Sequence, residues 1–225
     1  MSAPERLVDH LSFHDLHRGF GRLRVLSGVS GEVEAGGVLL VVGHNGSGKS
    51  TLLRCLAGLM RPQRGTIACR LGGREHGIDS RRRALGYLSP DLGLYAELTT
   101  RENLDLFARL RGLDPARGGR LLDRFGLPQR RLASALSSGM RQRLRWCFAL
   151  LAAPRLLLVD EPFANLDRRG RDDVLELLEE RLADGALAVI ADPDLLELPR
   201  VRTVLTLRLG AASCAEERSR AEERA

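Results

Sequence analysis

Cysteine is scarce in this sequence, and no stretch is apolar enough to cross a membrane. The four cysteines, Cys55, Cys69, Cys147 and Cys214, lie far apart and include no C-x-x-C pair. This spacing argues against a zinc site or a disulfide framework and is typical of a reducing compartment. The N-terminus lacks the apolar core of a signal peptide, and no apolar run reaches the ~20 residues that span a bilayer. We therefore expect a cytosolic protein that reaches a membrane only through a partner chain.

Lysine is almost absent as well. Lys49 is the only lysine among the 35 lysine and arginine residues of a 225-residue chain with a net charge of +6. The arginines are spread along the chain, and residues 81–83 form the only run of three. This distribution argues against nucleic acid as the main partner. The length suits one substantial domain with an inserted subdomain, or two small domains.

The single lysine lies in a segment that fits the pattern G-x-x-x-x-G-K-[ST]. The segment consists of Gly43, His44, Asn45, Gly46, Ser47, Gly48, Lys49, Ser50 and Thr51. An apolar run precedes it and an apolar-periodic segment follows it, which is the strand–loop–helix context of a phosphate-binding loop. The glycines allow backbone N–H groups to point at phosphate oxygens, and the helix start adds partial positive charge. We predict that this loop binds a nucleotide.

Individual side chains in this loop have predicted roles. Lys49 would reach the β- and γ-phosphates, and Ser50 would offer its hydroxyl to Mg²⁺. The planar fork of an arginine would not fit inside a loop wrapped tightly around a phosphate chain, which explains why a compact ammonium is kept here.

Two acidic residues complete the predicted catalytic site. Asp160 and Glu161 follow the apolar run 156–159, which places them at the carboxyl end of a buried strand. Ligands bind at that edge in open α/β sheets. Asp160 would therefore join Ser50 in holding Mg²⁺, and Glu161 would polarise a water in line with the γ-phosphorus.

The pattern of strands and helices predicts an α/β fold with a P-loop NTPase core and a mostly parallel sheet. Short strands broken by glycines over residues 7–34 predict an antiparallel N-terminal edge sheet. Residues 70–83 are predicted to be a loop. The predicted core covers residues 1–90 and 154–210, residues 91–153 form an inserted helical subdomain, and residues 211–225 form a flexible charged tail that frays or forms a solvated helix.

A further motif identifies the family that the sequence resembles. Residues 136–143, LSSGMRQR, open a predicted helix 24 residues before Glu161, and Asn165-Leu166-Asp167 follow the acidic pair. In this order, the motifs resemble those of the ATP-binding subunit of ABC transporters over residues 7–208.

The resemblance implies that two such subunits pair head to tail, as a homodimer or a heterodimer, on an integral membrane permease. Ser137 and Gly139 would then contact the γ-phosphate on the partner's P-loop, and Asp167 would belong to a loop that communicates across the dimer. Phe20 would stack on adenine, although its position alone equally suits a core or edge-strand aromatic. Residues 90–103 would border the permease surface.

Two positions depart from the pattern that the resemblance implies. A glutamine is usual near residues 89–91, where this chain has Ser-Pro-Asp, and a histidine is usual where this chain has Pro193. Ser138 replaces a usual glycine, which is a milder change. Because proline can neither donate nor accept through its side chain, we expect slow or partner-dependent hydrolysis. Ordinary turnover supported by Glu161 alone is the alternative, as is a regulatory dimer with little or no hydrolysis.

The resemblance also narrows the biological setting. The compact size and the altered glutamine segment are similar to haem-exporter subunits of cytochrome c maturation and to multidrug or lipid export subunits. Export is therefore favoured over import, with the protein held at the inner face of the cell membrane by its permease. Soluble relatives that act on ribosomes or DNA carry two cassettes or long coiled coils, for which this length leaves no room.

Overall fold

The computed structural model describes residues 8–194, 198, 200–210 and 215–217. The strands in chain order are β1 His10–Phe20, β2 Leu23–Glu34, β3 Val38–Val42, β4 Arg64–Leu71, β5 Arg74–Glu75, β6 Leu85–Leu88, β7 Leu156–Asp160, β8 Leu187–Asp192, β9 Val201–Thr206 and β10 Ala215–Glu217. The helices are α1 Lys49–Leu56, α2 Ile78–Ala84, α3 Thr100–Leu110, α4 Ala116–Arg124, α5 Ser138–Leu150 and α6 Arg168–Ala183.

The larger sheet has the strand order β10-β9-β3-β8-β7-β6, and every pair except β10–β9 is parallel. Alternate residues of β3 enter two different cores. Val38 and Leu40 pack with the helices α3, α4 and α5, whereas Leu39 and Val41 pack with α1 and the antiparallel strands. Because both faces are covered, the central strands are apolar throughout, and the prediction of a mostly parallel α/β sheet is confirmed.

The N-terminal antiparallel sheet is also present, but its strands are long rather than short. β1 and β2 pair over most of their length, and β4 and β5 extend the sheet on the other side of β1. Gly31 does not break β2. It pairs with Phe13, and a Cβ at Gly31 would lie 2.7 Å from the Phe13 ring. The glycine thus makes room for a cross-strand aromatic side chain within the strand.

Two predictions about irregular segments are wrong. Residues 70–83 contain the end of β4, β5 and most of α2 instead of a loop. In the C-terminal tail, Ala215–Glu217 form a strand that pairs antiparallel with β9, where a flexible or helical segment was expected. The rest of that prediction, for residues 211–214 and 218–225, falls outside the described residues.

The segment between β6 and β7 is helical, as expected. It holds α3, α4, a 3-10 turn at Ala133–Ala135 and α5. Thr99 caps α3 with a capping box, since its Oγ1 accepts from the Glu102 N–H and the Glu102 carboxylate accepts from the Thr99 N–H. The exact division into core and subdomain stays a prediction. Among the helices of the described residues, none combines the length and the apolar character needed to cross a membrane.

Candidate functional site

The predicted phosphate-binding loop leaves the carboxyl end of β3 and enters α1. Gly43, Gly46 and Gly48 have φ values of 154°, 82° and 105°, which side-chain-bearing residues rarely adopt. A Cβ at Gly43 would lie 2.5 Å from the carbonyl oxygen of Leu207, and one at Gly48 would lie 2.9 Å from Val25 Cγ1. Backbone conformation and close packing therefore both require glycine at Gly43 and Gly48.

The Lys49 side chain is buried inside this loop and bonds to its backbone. Its Nζ donates to the carbonyl oxygen of Gly43 at 2.5 Å and to that of His44 at 3.2 Å, and the residue is only 6% exposed. The nearby Ser47 Oγ is buried and has no hydrogen-bond partner in the described part of the chain. A buried ammonium and an unsatisfied hydroxyl in one loop suit an anionic ligand, because a phosphate oxygen would accept from both.

The other predicted loop residues lie around this centre. His44, Asn45 and Gly46 are exposed at its tip, and the His44 Nδ1 lies 2.8 Å from the Asn45 carbonyl oxygen, to which it donates. Thr51 is half-buried in the first turn of α1.

Asp160 lies at the end of β7, buried beside the start of α1. It is 3% exposed, and burial raises the pKa of its carboxyl, while a hydrogen bond from Ser50 and the charges of Lys49 and Arg54 act in the opposite direction. A carboxylate and a hydroxyl oxygen are the hard ligands that Mg²⁺ prefers in phosphate sites. These residues therefore fit Mg²⁺, and a bound cation would offset the electrostatic penalty of the buried carboxylate.

Glu161 follows with a left-handed backbone, φ 52°, and its N–H donates to the carbonyl oxygen of Ala191 at 2.9 Å. Gln142, a buried residue of α5, donates from Nε2 to the Glu161 carbonyl at 2.9 Å and to the Pro162 carbonyl at 3.2 Å. Trp146 Nε1 donates to the same Pro162 carbonyl at 2.9 Å. Sequence reasoning missed Gln142 and Trp146, which link α5, the helix that begins in the LSSG segment, to the backbone of Glu161 and of Pro162 after it.

Asp192 is another residue that sequence reasoning missed. It ends β8 directly beside Val42, the residue before the loop. Burial raises the pKa of its carboxyl, as do the negative charges of Asp194 and Glu161, whereas the Asp194 N–H and Lys49 lower it. Pro193, where a histidine was expected, is exposed. The sheet edge thus carries an additional carboxylate next to the position of the missing histidine.

A second group of predicted residues meets elsewhere in the chain. Ser137 caps α5 and accepts from the Met140 N–H at 3.2 Å, and a Cβ at Gly139 would lie 2.7 Å from the Asn165 carbonyl oxygen. Asp167 caps α6 and accepts from Arg143 at 2.9 Å. In the described residues, no hydrogen bond or ion pair joins this group to the loop at 43–51 of the same chain.

Phe20 lies at the end of β1 and is 47% exposed, with the Arg18 guanidinium 5.1 Å above its ring. Asp91, near the expected glutamine, forms an ion pair with Arg54 of α1 at 2.5 Å. The charged pair ties this segment to the helix that begins in the loop.

Comparison with known proteins gives a family. A family model described as ABC transporter matches residues 26–164. The cytochrome c biogenesis ATP-binding export protein CcmA of Xanthomonas axonopodis pv. citri is 37% identical over 205 residues, covering 89% of this chain and 95% of that protein. The Fe(3+) ions import ATP-binding protein FbpC 1 of Rhodococcus jostii is 35% identical, covering 80% of this chain but 54% of that protein. The probable multidrug ABC transporter ATP-binding protein YbhF of Escherichia coli is 37% identical, covering 79% of this chain and 32% of that protein.

Solved structures agree. An ATP binding subunit of an ABC transporter superposes with a TM-score of 0.77 at 30% identity, over 92% of this chain and 89% of that chain. A dimeric bacterial ABC transporter cassette superposes with a TM-score of 0.78 over 93% of this chain and 99% of that chain, and at 21% identity it shows the shared fold alone. On the family match and the relatives together, the chain belongs to the ABC transporter family, as one of its ATP-binding subunits.

Proposed function

We propose that this chain hydrolyses ATP to power export through a separate integral membrane permease, with turnover slower than is usual for such a motor. The observation that carries the proposal is the buried pair of Lys49 and Asp160 at one sheet edge, with Glu161 next in the chain. One cation for the phosphates, one carboxylate for the metal and one carboxylate for water are the parts that phosphoryl transfer to water needs.

The loop binds the triphosphate in this proposal. Backbone N–H groups of residues 43–51 surround it, and the Lys49 ammonium moves from the Gly43 and His44 carbonyls to the β- and γ-phosphates. Ser47 Oγ gains the partner that it lacks. The exposed face of Phe20 would stack on adenine, where Arg18 already supplies one stacking partner.

Ser50 and Asp160 would hold Mg²⁺, which neutralises charge that develops on the phosphates. Glu161 would accept a proton from the attacking water. Its backbone is held by a hydrogen bond to the Ala191 carbonyl and by one from the Gln142 side-chain amide. Because Gln142 lies in α5, movement of the LSSG helix would shift Glu161.

Dimerisation would complete the site. Ser137 is exposed at the start of α5, where it leaves helix N–H groups directed outward. Within the described residues, no hydrogen bond or ion pair joins Ser137 to the loop of the same chain, which suits a role on the partner's nucleotide. Asp167, held by Arg143, would lie on the same surface. The dimer is a homodimer or a heterodimer.

Export is supported by the relative that matches over nearly its whole length, which is named as an export protein, whereas the iron importer extends well beyond this chain. We place the protein on the cytoplasmic face of the membrane, held by the permease through the surface near residues 90–103. No nucleic acid is expected in this function.

Slow turnover follows from the charges at the sheet edge. Asp192 adds negative charge beside Glu161, and Pro193 offers no donor to the γ-phosphate. Loss of one such donor lowers a rate by about 10²–10³.

Steady-state ATPase of the chain with its permease tests this proposal. We expect Pro193→His to increase kcat at least about tenfold, because the exposed proline leaves room for a donor. Pro193→Ala, which removes the ring without adding a donor, should have no such effect, and Glu161→Gln should abolish turnover in every background. A wild-type rate equal to that of Pro193→His would overturn the proposed impairment.

A regulatory dimer with little or no hydrolysis is the second candidate, and the crowding of carboxylates at Asp192 favours it. ATP-dependent dimerisation without release of phosphate over many hours, in both the wild type and Pro193→His, would decide for this alternative.

A further inference from the structure

A cavity lies at the end of α1 remote from the phosphate-binding loop, between that end, β4 and α2. Its volume is about 490 Å³, within the range of about 300–1,000 Å³ that is typical of small-molecule sites. Four of its lining residues are arginines, namely Arg61, Arg64, Arg81 and Arg82, and the described residues that line it include no aspartate or glutamate. The cavity is therefore strongly basic.

Arg81 forms its buried wall. The residue is 3% exposed, and its Nε has no hydrogen-bond partner in the part of the chain that the structure describes. Burial lowers the pKa of this guanidinium, with the nearby Cys69 raising it and Arg82 lowering it further. Arginine nevertheless stays charged in proteins, so this is a buried cation without a described counter-ion.

The carboxylates of Asp79 and Glu75, which flank this region, form ion pairs with arginines other than Arg81. Asp79 lies 3.5 Å from Arg82, and Glu75 lies 2.6 Å from Arg70. Arg82 also donates to the Gly58 carbonyl, which fixes it against the end of α1. Within the described residues, no carboxylate forms an ion pair with Arg81.

A histidine adds a second unsatisfied group. His76 lines the same cavity, and its Nε2 lies 3.2 Å from the Leu71 carbonyl oxygen, which can only accept. Nε2 is therefore the donor, and the buried Nδ1 has no partner among the described residues. Met60 and Ile78 supply apolar surface between these polar groups.

A buried cation without a partner is strongly unfavourable, and burial is tolerated when an anion accepts its hydrogen bonds. The guanidinium fork matches the two oxygens of a phosphate or carboxylate group. We infer that this cavity binds a small organic anion, one phosphate or carboxylate group on a short apolar body, with Arg81 as its anchor. Arg61 and Arg64, both exposed at the rim, attract the anion toward the cavity. The site is separate from the nucleotide site and does not depend on the proposed function.

Calorimetric titration of the full chain with butyl phosphate tests this inference. Saturating ADP and Mg²⁺ are present, so that the phosphate-binding loop is occupied. We expect saturable binding that weakens at least about tenfold in Arg81→Met, since a charge-assisted pair is lost. Arg83→Met is the matched control, because Arg83 is an exposed residue of the same helix that does not line the cavity. It removes the same charge and should leave binding unchanged.

Thermal unfolding without butyl phosphate separates a ligand role from a structural one. Arg81→Met should unfold at the same or a higher temperature than the wild type, because it removes an unpaired buried cation. A purely structural arginine would lower Tm instead. Should Arg81→Met fail to fold, the double variant Arg61→Gln/Arg64→Gln retains the buried wall and should weaken binding about threefold through the lost rim charges.

Titrations with two further ligands identify the source of the anion. Inorganic phosphate tests whether the charge alone suffices, and phosphatidylcholine vesicles containing phosphatidic acid test a lipid headgroup. Binding of either that depends on Arg81 supports the inference and names the source. Failure of all three probes to bind, or binding that is equal in Arg81→Met and the wild type, would overturn it.

Discussion

We predict that the Asp160 carboxylate lowers the stability of the ligand-free protein and is required for its stabilisation by Mg²⁺ and ATP. The residue is 3% exposed, burial raises the pKa of its carboxyl, and a hydrogen bond from Ser50 and the charges of Lys49 and Arg54 oppose that effect. Asparagine has nearly the same shape and no charge. We therefore expect Asp160→Asn to increase the free energy of unfolding by about 1 kcal/mol in the absence of nucleotide.

For a domain of this size, that increase raises Tm by about 2–4 °C. A ligand at about 100 times its Kd adds about 2.7 kcal/mol to the stability of a protein that binds it. The variant should lose most of this gain in Mg²⁺ and ATP, because it lacks the metal-binding carboxylate. In thermal scans, the Tm of Asp160→Asn should therefore be higher than that of the wild type without ligand. With Mg²⁺–ATP, it should be lower.

The effect of Asp160 on stability should depend on pH, because the pKa of its carboxyl is raised in the folded state. Below the ordinary carboxyl pKa of about 3.9, Asp160 is protonated in both the folded and unfolded states and carries no penalty. The penalty builds up as the pH rises from that value to the raised pKa of the folded state, and it is complete above the raised pKa. The ligand-free difference in Tm between variant and wild type should thus shrink as the pH is lowered from 7 toward the ordinary carboxyl pKa of about 3.9.

Asp172→Asn provides the control, since Asp172 is exposed on α6 and should give no difference under either condition. If Asp160→Asn unfolds at a lower temperature than the wild type without nucleotide, the carboxylate is not under electrostatic strain and the reasoning is refuted.

Three further predictions concern other parts of the chain. Thr99→Ala removes the cap of α3 and should lower the free energy of unfolding by about 1 kcal/mol, or Tm by about 2–4 °C, in a thermal scan. Gly139→Ala places a Cβ 2.7 Å from the Asn165 carbonyl oxygen and should weaken ATP-dependent dimerisation about tenfold in light scattering, whereas Gly93→Ala, with open space around it, should not. Incorporation of ¹³C-lysine during expression labels one side chain, Lys49, whose NMR signal should shift when ATP binds.

Each of these has a contrary outcome. An unchanged Tm in Thr99→Ala would mean that tertiary packing alone holds the first turn of α3. Normal dimerisation of Gly139→Ala would show that the backbone at Asn165 can move away from the added methyl group without disturbing the surface that binds the second subunit. A Lys49 signal that stays constant at saturating ATP would place the ammonium away from the phosphates.

The phosphate-binding loop could be predicted because its geometry is local. Its glycines, its lysine and the following helix interact within a few residues, so the sequence pattern carries the structure. The acidic pair was also predictable, since a polar residue after an apolar run marks the carboxyl end of a buried strand. Its backbone geometry, with Glu161 bonded to Ala191 and Gln142, could not be predicted in the same way.

Helix α2 shows where local patterns fail. Its seven residues include three arginines and have no apolar periodicity, and glycines precede it. Long-range bonds support it, from Arg82 to the Gly58 carbonyl and from Arg111 to the Arg83 carbonyl. Strand β10 was missed for the same reason, because only its pairing with β9 makes it a strand.

By itself, the sequence predicted the fold class, the family resemblance and the segments proposed to bind phosphate, metal and water, because each rests on a local sequence pattern. Tertiary structure alone decided which distant residues share a site. It placed Asp192 beside Val42, joined Gln142 to Glu161 and left Arg81 buried without a described counter-ion. Strand order and helix packing set these neighbours, and residues far apart in the chain meet only once the whole core has formed.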